Sequence, residues 1–179
     1  MSRTNPSPPT VIPPDRPRPT PVRPPSPADW LALDHQLCFA LYAASLAMTK
    51  AYKPLLAPLG LTYPQYLVML VLWECDGQSG GLTVSQLGHR LSLDSGTLTP
   101  LLKRLQALGL LQRLRDVVDE RRVLLSLSAA GRALQARAVT VPQTIACATG
   151  CDLPQITRLA TELTALRRQL TPAPPRAAA

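Results

Sequence analysis

The most constraining feature of this chain is a set of four short patterned segments in its middle. Two have helical periodicity: one runs from Thr83 to about residue 91, and the next is capped by Asp94 or Ser95 and runs to about residue 108. Two strand-like runs follow, Leu110–Arg115 and Val123–Leu127, joined by a charged turn. Two short helices followed by a hairpin with a charged tip predict a winged helix-turn-helix.

Apolar helices are predicted on both sides of this module. A first helix runs from about Asp29 to Leu56, where Pro54 and Pro58 end it. Thr62 caps a second helix, Ser128 opens a fifth, and Asp152 caps a sixth over about residues 153–170. The second helix carries four large side chains, namely Tyr66, Met69, Leu70 and Trp73. The predicted fold class is therefore mainly α, of the α+β type.

The two ends have a different composition. Residues 1–28 hold eleven of the 20 prolines, so we expect a disordered basic tail with polyproline II character. It is either an arm that contacts DNA or a partner, or a dispensable tail. Residues 171–179 are expected to be a second frayed end.

Composition limits the class of protein. No apolar run approaches the ~20 residues of a membrane span, and the N-terminus lacks the apolar segment of a secretory signal. We therefore expect a cytoplasmic protein without membrane contact, in which the four cysteines are free or redox-active rather than structural disulfides. The net charge of +8 favours an anionic partner.

The predicted module carries groups suited to DNA. Small hydroxyl side chains open its second helix and basic side chains follow, so this helix would read the major groove while the hairpin reaches phosphates or the minor groove. Asp119 lies close enough to Arg121 to orient its guanidinium. Helix capping and simple solvation are the alternatives for single residues, and the ordered set favours DNA binding. The predicted contacts are Ser95, Thr97, Thr99, Lys103, Arg104, Arg113, Arg115, Asp119, Arg121 and Arg122.

Two motifs in this region resemble the MarR family of winged-helix repressors. They are the run Leu93-Asp94-Ser95-Gly96-Thr97-Leu98-Thr99-Pro100 and the wing sequence Asp119-Glu120-Arg121-Arg122, with Leu127-Ser128-Ala129-Ala130-Gly131 downstream. The resemblance covers roughly residues 33–170. It implies a homodimer, joined through the first and last helices, that binds a pseudo-palindromic operator in double-stranded DNA.

Under that resemblance the chain divides into five parts. They are a Pro-rich basic tail (1–28), an N-terminal dimerisation and sensor helix (29–60), the winged helix-turn-helix (61–128), C-terminal dimerisation helices (129–170) and a second tail (171–179).

Within the family, the run Leu33–Tyr42 resembles the OhrR-type organic hydroperoxide sensors. The resemblance implies that Cys38 is the peroxide-reactive thiol and that Tyr52 and Tyr63 of the other subunit hydrogen-bond to it. It also places a resolving thiol on the fifth helix of the other subunit, for which Cys147 aligns better than Cys151. Only a thiolate reacts quickly with a peroxide, phenol donors stabilise the thiolate, and a second thiol converts the resulting sulfenic acid to a disulfide.

Each of these residues has a plainer alternative. Tyr52 and Tyr63 could be ordinary packing residues. Cys147 and Cys151, four residues apart, share a helical face by spacing and could pack at a dimer interface or form a local disulfide. Cys75 is interpreted as structural. No metal or other cofactor is expected, because a zinc site needs about four ligands and the two histidines lie on other elements.

The leading hypothesis is a repressor that binds DNA when reduced and is released when organic hydroperoxide oxidises Cys38. One alternative is a MarR-type repressor released by a small aromatic or phenolic ligand, with no cysteine switch. A thiol peroxidase is a second alternative, but the chain shows no CxxC motif or nucleophile triad, so no enzyme activity is expected. A non-specific DNA-coating protein is the third.

Overall fold

The computed structural model describes residues 29–77, 81–115, 119 and 122–171. The predicted tail at 1–28, the second tail beyond residue 171 and most of the charged turn, including Arg121, lie outside these residues. The chain divides into two compact units, residues 1–42 and 43–179. Each is described by itself.

The predicted start of the first helix was wrong. Asp29–Leu31 and Leu33–His35 form two 3-10 turns, and the α-helix α1 spans Leu37–Leu56. The interruption lies at Gln36, whose backbone is extended at φ −85° and ψ 115°. The Gln36 side chain fixes this conformation, because its amide donates to the carbonyl oxygen of Ala32 at 3.3 Å and to that of Trp30.

The end of α1 also differs in detail from the prediction. Pro54 lies inside the last turn of the helix rather than ending it. A 3-10 turn, Ala57–Leu59, contains Pro58 and closes on Gly60, which adopts the left-handed conformation at φ 70°.

Helix α2, Tyr63–Cys75, begins as predicted. Thr62 and Gln65 form a reciprocal capping box, in which the Thr62 amide donates to Gln65 Oε1 at 2.8 Å. Most of α2 is buried, including Tyr66, Met69 and Trp73, so this helix is the centre of the hydrophobic core.

The winged helix-turn-helix is confirmed. Helices α3 (Val84–Leu91) and α4 (Ser95–Ala107) are capped by Thr83 and Asp94. Strands β2 (Leu111–Arg115) and β3 (Val123–Leu127) pair antiparallel, with Arg113 opposite Leu125. A two-residue strand, β1 (Leu82–Thr83), was not predicted; it adds to β3, so the sheet order is β1-β3-β2.

The predicted fifth helix is two helices. Helix α5 spans Ala129–Ala138 and α6 spans Thr140–Thr149. Pro142 explains the break, because it has no N–H to donate to the Ala138 carbonyl one turn back. Asp152 caps α7, Leu153–Leu170, as predicted.

The core joins α2 to α3, α4, the wing strands and α5. Helices α3 and α4 contribute four leucines that are fully or almost fully buried, namely Leu87, Leu98, Leu102 and Leu105. Trp73 Nε1 donates to the Gly131 carbonyl oxygen at 2.8 Å and fixes α5 against α2. Across the described residues, no single helix is long and apolar enough to cross a membrane, and one bent pair, Leu37–Leu59 with Tyr63–Cys75, meets that requirement by length and composition only.

Candidate functional site

The N-terminal turn of α4 is held by its own cap. Asp94 accepts two hydrogen bonds from Thr97: one from the backbone N–H to Oδ1 at 2.8 Å and one from the hydroxyl to Oδ2 at 3.0 Å. These bonds hold the pKa of the Asp94 carboxyl below its ordinary value. The Thr99 hydroxyl donates to the Ser95 carbonyl oxygen at 2.7 Å. The capping interpretation is therefore correct for Asp94, and each threonine oxygen keeps a lone pair that can accept a further bond.

The turn between α3 and α4 is compact. Ser92 adopts a left-handed conformation at φ 56°, and its hydroxyl accepts a hydrogen bond from Arg167 of α7 at 2.7 Å. Gly88 is required here, because a Cβ at this position would lie 2.8 Å from the Leu93 carbonyl oxygen. These contacts set the angle at which α4 projects from α3.

One side of this module is a basic cleft. It has a volume of about 670 Å³ and lies between α3, the start of α4 and the wing strands, with Ser95, Arg113 and Arg122 among the residues that line it. The Arg113 Nε is buried and has no hydrogen-bond partner among the described residues. Ser95, Arg113 and Arg122, predicted from separate segments, are thus brought to one surface.

The other predicted DNA contacts lie on α4 and the wing. Lys103 and Arg104 are exposed on α4, opposite the buried leucines, and Arg115 is exposed at the end of β2. The Asp119 carbonyl oxygen accepts a hydrogen bond from the Arg122 N–H at 2.9 Å. The predicted contact between Asp119 and Arg121 falls outside the described residues.

Tyr52 and Tyr63 are in direct contact. Their ring centroids are 4.6 Å apart, at the join between α1 and α2, and the Tyr66 ring lies 5.8 Å from Tyr52. Tyr66 in turn meets Trp73 edge-on at 6.3 Å. We call Tyr52, Tyr63 and Tyr66 the tyrosine cluster. Its first two members are half-buried and the third is fully buried.

The environment keeps these phenols protonated. Burial raises the pKa of each of the three hydroxyls, and neighbouring phenols raise those of Tyr52 and Tyr66 further. At neutral pH the cluster therefore offers hydrogen-bond donors, which is what a thiolate or a sulfenate oxygen needs nearby.

Cys38 lies in the first turn of α1 and its side chain is exposed. It belongs to the first structural unit, whereas the tyrosine cluster and the other cysteines belong to the second.

Cys147 and Cys151 differ more than their spacing predicted. Cys147 is exposed near the end of α6, which stops at Thr149. Gly150 is left-handed at φ 66° and ends the helix, so Cys151 lies beyond it and the predicted shared helical face is wrong. Cys151 is half-buried and its Sγ lies 3.6 Å from the Thr149 carbonyl oxygen.

All four cysteines are free thiols in this structure, and Cys75 packs against the core. In the part of the chain that the structure describes, no three His, Cys, Asp or Glu side chains come together in a way that could hold a metal ion.

Comparison with known proteins bears on these features. A family model for the transcriptional regulators SarA/Rot matches residues 50–137. The organic hydroperoxide resistance transcriptional regulator of Bacillus subtilis is 54% identical over 117 residues, which are 65% of this chain and 77% of that protein. The HTH-type transcriptional regulator TtmR of Methylorubrum extorquens is 50% identical over 139 residues, 78% of this chain and 69% of that protein.

A solved structure agrees with these relatives. The crystal structure of AbfR of Staphylococcus epidermidis is 32% identical, with a TM-score of 0.65 over 80% of this chain and 96% of that one. AbfR has also been solved reduced and over-oxidised, each bound to DNA, and in a disulfide form. The chain belongs to the MarR family of winged-helix transcriptional regulators. The family resemblance carried by the motifs of α4 and the wing is confirmed.

Sequence reasoning missed two features of this MarR-family chain. Tyr66 was assigned only to the second helix, although its hydroxyl is buried beside two other phenols. The buried Nε of Arg113 was not predicted either, because Arg113 was identified only as a DNA contact on the wing. The i, i+3 spacing of Tyr63 and Tyr66 on α2 was a usable signal for the first.

Proposed function

We propose that this chain is a redox-sensing transcriptional repressor, which binds operator DNA when reduced and releases it when organic hydroperoxide oxidises Cys38. The observation that carries the proposal is the contact between Tyr52 and Tyr63, two protonated phenols whose ring centroids lie 4.6 Å apart. The Bacillus relative, named for organic hydroperoxide resistance, supports the same oxidant class.

DNA is read by α4 and the wing. On α4, the hydroxyls of Ser95, Thr97 and Thr99 approach base edges or phosphates. Lys103 and Arg104, one turn further along α4, neutralise phosphates. On the wing, Arg113, Arg115, Arg121 and Arg122 contact the adjacent backbone or minor groove, with Asp119 orienting a guanidinium. AbfR has been solved bound to DNA, which supports DNA binding by a chain of this fold.

A second copy of the chain completes the repressor. Helix α7 has no buried residue, and Leu153, Leu159, Leu163 and Leu170 are all exposed. An 18-residue helix with this apolar surface needs a partner, and a homodimer supplies one. Residues 29–60 and 129–170 would form the dimer, and the two modules at 61–128 would meet the half-sites of a pseudo-palindromic operator. The repressor would act in the cytoplasm.

The switch is a thiol reaction across the dimer. The Cys38 thiolate attacks the terminal peroxide oxygen; an S–O bond forms, the O–O bond breaks, and the alkoxide leaves and takes up a proton as the alcohol. Tyr52 and Tyr63 of the other copy donate hydrogen bonds to the thiolate and then to the sulfenate. Cys147 of the other copy then attacks the sulfenic sulfur, so that a disulfide forms and water leaves.

Release depends on the disulfide rather than on oxidation as such. AbfR has been solved over-oxidised and bound to DNA, and separately in a disulfide form. Because Cys147 is exposed and Cys151 is half-buried, we assign the resolving role to Cys147 and keep Cys151 as its alternative.

A DNA-binding titration tests the function. We expect the reduced protein to bind a duplex from upstream of its own gene, cumene hydroperoxide to release it, and dithiothreitol to restore binding. Cys38→Ser should bind and not respond, Cys147→Ser should bind and resist release, and Cys151→Ser, the matched control, should behave as wild type. Release of Cys38→Ser by hydroperoxide would contradict the proposal, and release by a phenolic compound alone would favour a ligand-responsive repressor.

A further inference from the structure

One buried polar group has no role in the function proposed so far. The Tyr66 side chain is 1% exposed, and its hydroxyl oxygen has no hydrogen-bond partner among the described residues. Buried hydroxyls are almost always hydrogen-bonded in native proteins, and leaving one unpaired is costly. A partner is therefore expected in the working state of the protein.

The surroundings of Tyr66 limit what that partner can be. On one side lies Trp73, a donor whose indole N–H is already given to the Gly131 carbonyl oxygen at 2.8 Å. On the other side lies the Tyr52 ring, 5.8 Å away. Tyr63 is one turn earlier on α2, at the i, i+3 spacing that places two side chains on the same face.

Tyr63 is the favoured neighbour. It lies one turn from Tyr66 on the same face of α2, and the Tyr63 phenol, after burial, raises the pKa of Tyr66. Tyr63 is half-buried, whereas Tyr66 is fully buried.

We propose that Tyr66 is a positioning residue for the thiol switch: its hydroxyl donates a hydrogen bond to the Tyr63 oxygen while Tyr63 donates its own proton to the Cys38 sulfur of the second copy. A phenol oxygen accepts and donates at once, and hydrogen bonds in a chain polarise one another. Tyr66 thus makes Tyr63 a stronger donor and fixes its hydroxyl toward the thiolate. This inference rests on the proposed function, because it concerns the same thiol.

The test is Tyr66→Phe in the full-length reduced dimer. The rate of alkylation of Cys38 is measured against pH by mass spectrometry of its peptide, together with the rate of its oxidation by cumene hydroperoxide. We expect the midpoint of the alkylation profile to rise by about half a pH unit, which is a roughly threefold loss of thiolate below the midpoint. DNA affinity of the reduced protein should not change.

A double-mutant comparison separates positioning from packing. If Tyr66 acts through Tyr63, then Tyr66→Phe adds nothing to the profile once Tyr63→Phe is present. An unchanged profile and oxidation rate in Tyr66→Phe would overturn the inference, and so would a full additive effect in the Tyr63→Phe background. If Tyr66→Phe folds poorly, the alkylation profile of Cys38 in Tyr63→Phe provides the test. An unchanged midpoint in Tyr63→Phe would show that Tyr63 does not act on Cys38, and would overturn the inference because Tyr66 is proposed to act through Tyr63.

The experiments distinguish a failure of the proposed function from a failure of the proposed role of Tyr66. If hydroperoxide does not release wild-type protein from DNA, the thiol switch itself is wrong. If wild type responds and Tyr66→Phe is indistinguishable from it, only the role of Tyr66 is wrong.

Discussion

The winged helix-turn-helix module and the C-terminal helix α7 differ in how far their leucines are buried. In the module, Leu87, Leu102 and Leu105 are 0% exposed, and its helices begin at side-chain caps. In α7, Leu153 and Leu170 are 74% and 71% exposed, although this helix has a capping box as good as any in the module. The helices of both regions have side-chain caps, so the two regions differ not in local capping but in the burial of their side chains. The module buries its leucines within one chain, whereas in the proposed dimer α7 buries its leucines against a second copy.

The largest effect is expected where α5 packs closely against the module. A Cβ at Gly131 would lie 2.0 Å from the Leu110 carbonyl oxygen, so Gly131→Ala must displace backbone. We expect a loss of more than about 3 kcal/mol in the free energy of unfolding, measured by urea titration. Ala130→Ser, the exposed neighbour on the same helix, should stay within about 0.5 kcal/mol of wild type. Similar values for the two variants would contradict the packing described.

The second prediction contrasts one leucine from each region. Leu102→Ala should lower the free energy of unfolding by about 3 kcal/mol, because it opens a cavity in the core. Leu163→Ala on α7 should act on assembly instead, and raise the dimer dissociation constant measured by analytical ultracentrifugation. A Leu163→Ala protein that dimerises as wild type does would show that α7 is not the dimer surface.

The third prediction concerns pH. The folded pKa of Asp94 is depressed by the Thr97 hydrogen bonds, so its contribution to stability is present above the unfolded pKa of about 4 and is lost as pH falls through the folded value. Asp94→Asn should flatten this part of the acid limb of melting temperature against pH. Thr97→Val, which keeps the backbone N–H and loses the hydroxyl, should flatten it less. An acid limb unchanged by Asp94→Asn would contradict this account of the cap.

The smallest effect is on the slope of salt dependence. Lys103 is exposed on α4, and its removal deletes one phosphate contact from each copy, or two from the proposed dimer complex. Lys103→Ala should weaken operator binding and lower the slope of log K against log salt by about 2 for the dimer. Lys50→Ala on α1 is the control and should keep the wild-type slope. Equal slopes for all three proteins would remove Lys103 from the interface.

The same contrast explains what the sequence could predict. Caps are local, so the starts of four helices were predicted correctly from Thr62, Thr83, Ser128 and Asp152. For α4 the sequence left Asp94 and Ser95 as alternatives, and the cap is Asp94. The start of α1 at Leu37 was missed because it depends on the Gln36 amide reaching back to the Ala32 carbonyl, which periodicity does not report. The break before α6 was present in the sequence as Pro142 and was overlooked.

The geometry of the candidate site, like the start of α1, depends on contacts between elements that the sequence does not report. The contact between Tyr52 and Tyr63 was implied only by family resemblance, since the two residues lie on different helices. The buried hydroxyl of Tyr66 depends on packing against Tyr52 and Trp73 and has no sequence signature beyond its spacing from Tyr63. The prediction that Cys147 and Cys151 share a helical face is wrong because the left-handed Gly150 between them ends α6.

The central claim is that Cys38 of one copy reacts with Cys147 of the other, and a mixed dimer tests it most directly. Cys38→Ser and the double variant Cys147→Ser, Cys151→Ser are refolded together, so that each mixed dimer keeps one Cys38–Cys147 pair across the interface. After cumene hydroperoxide, we predict a covalent dimer on a non-reducing gel from the mixture, and none from either parent alone. No covalent dimer in the mixture, or the same one from a parent, would contradict the account.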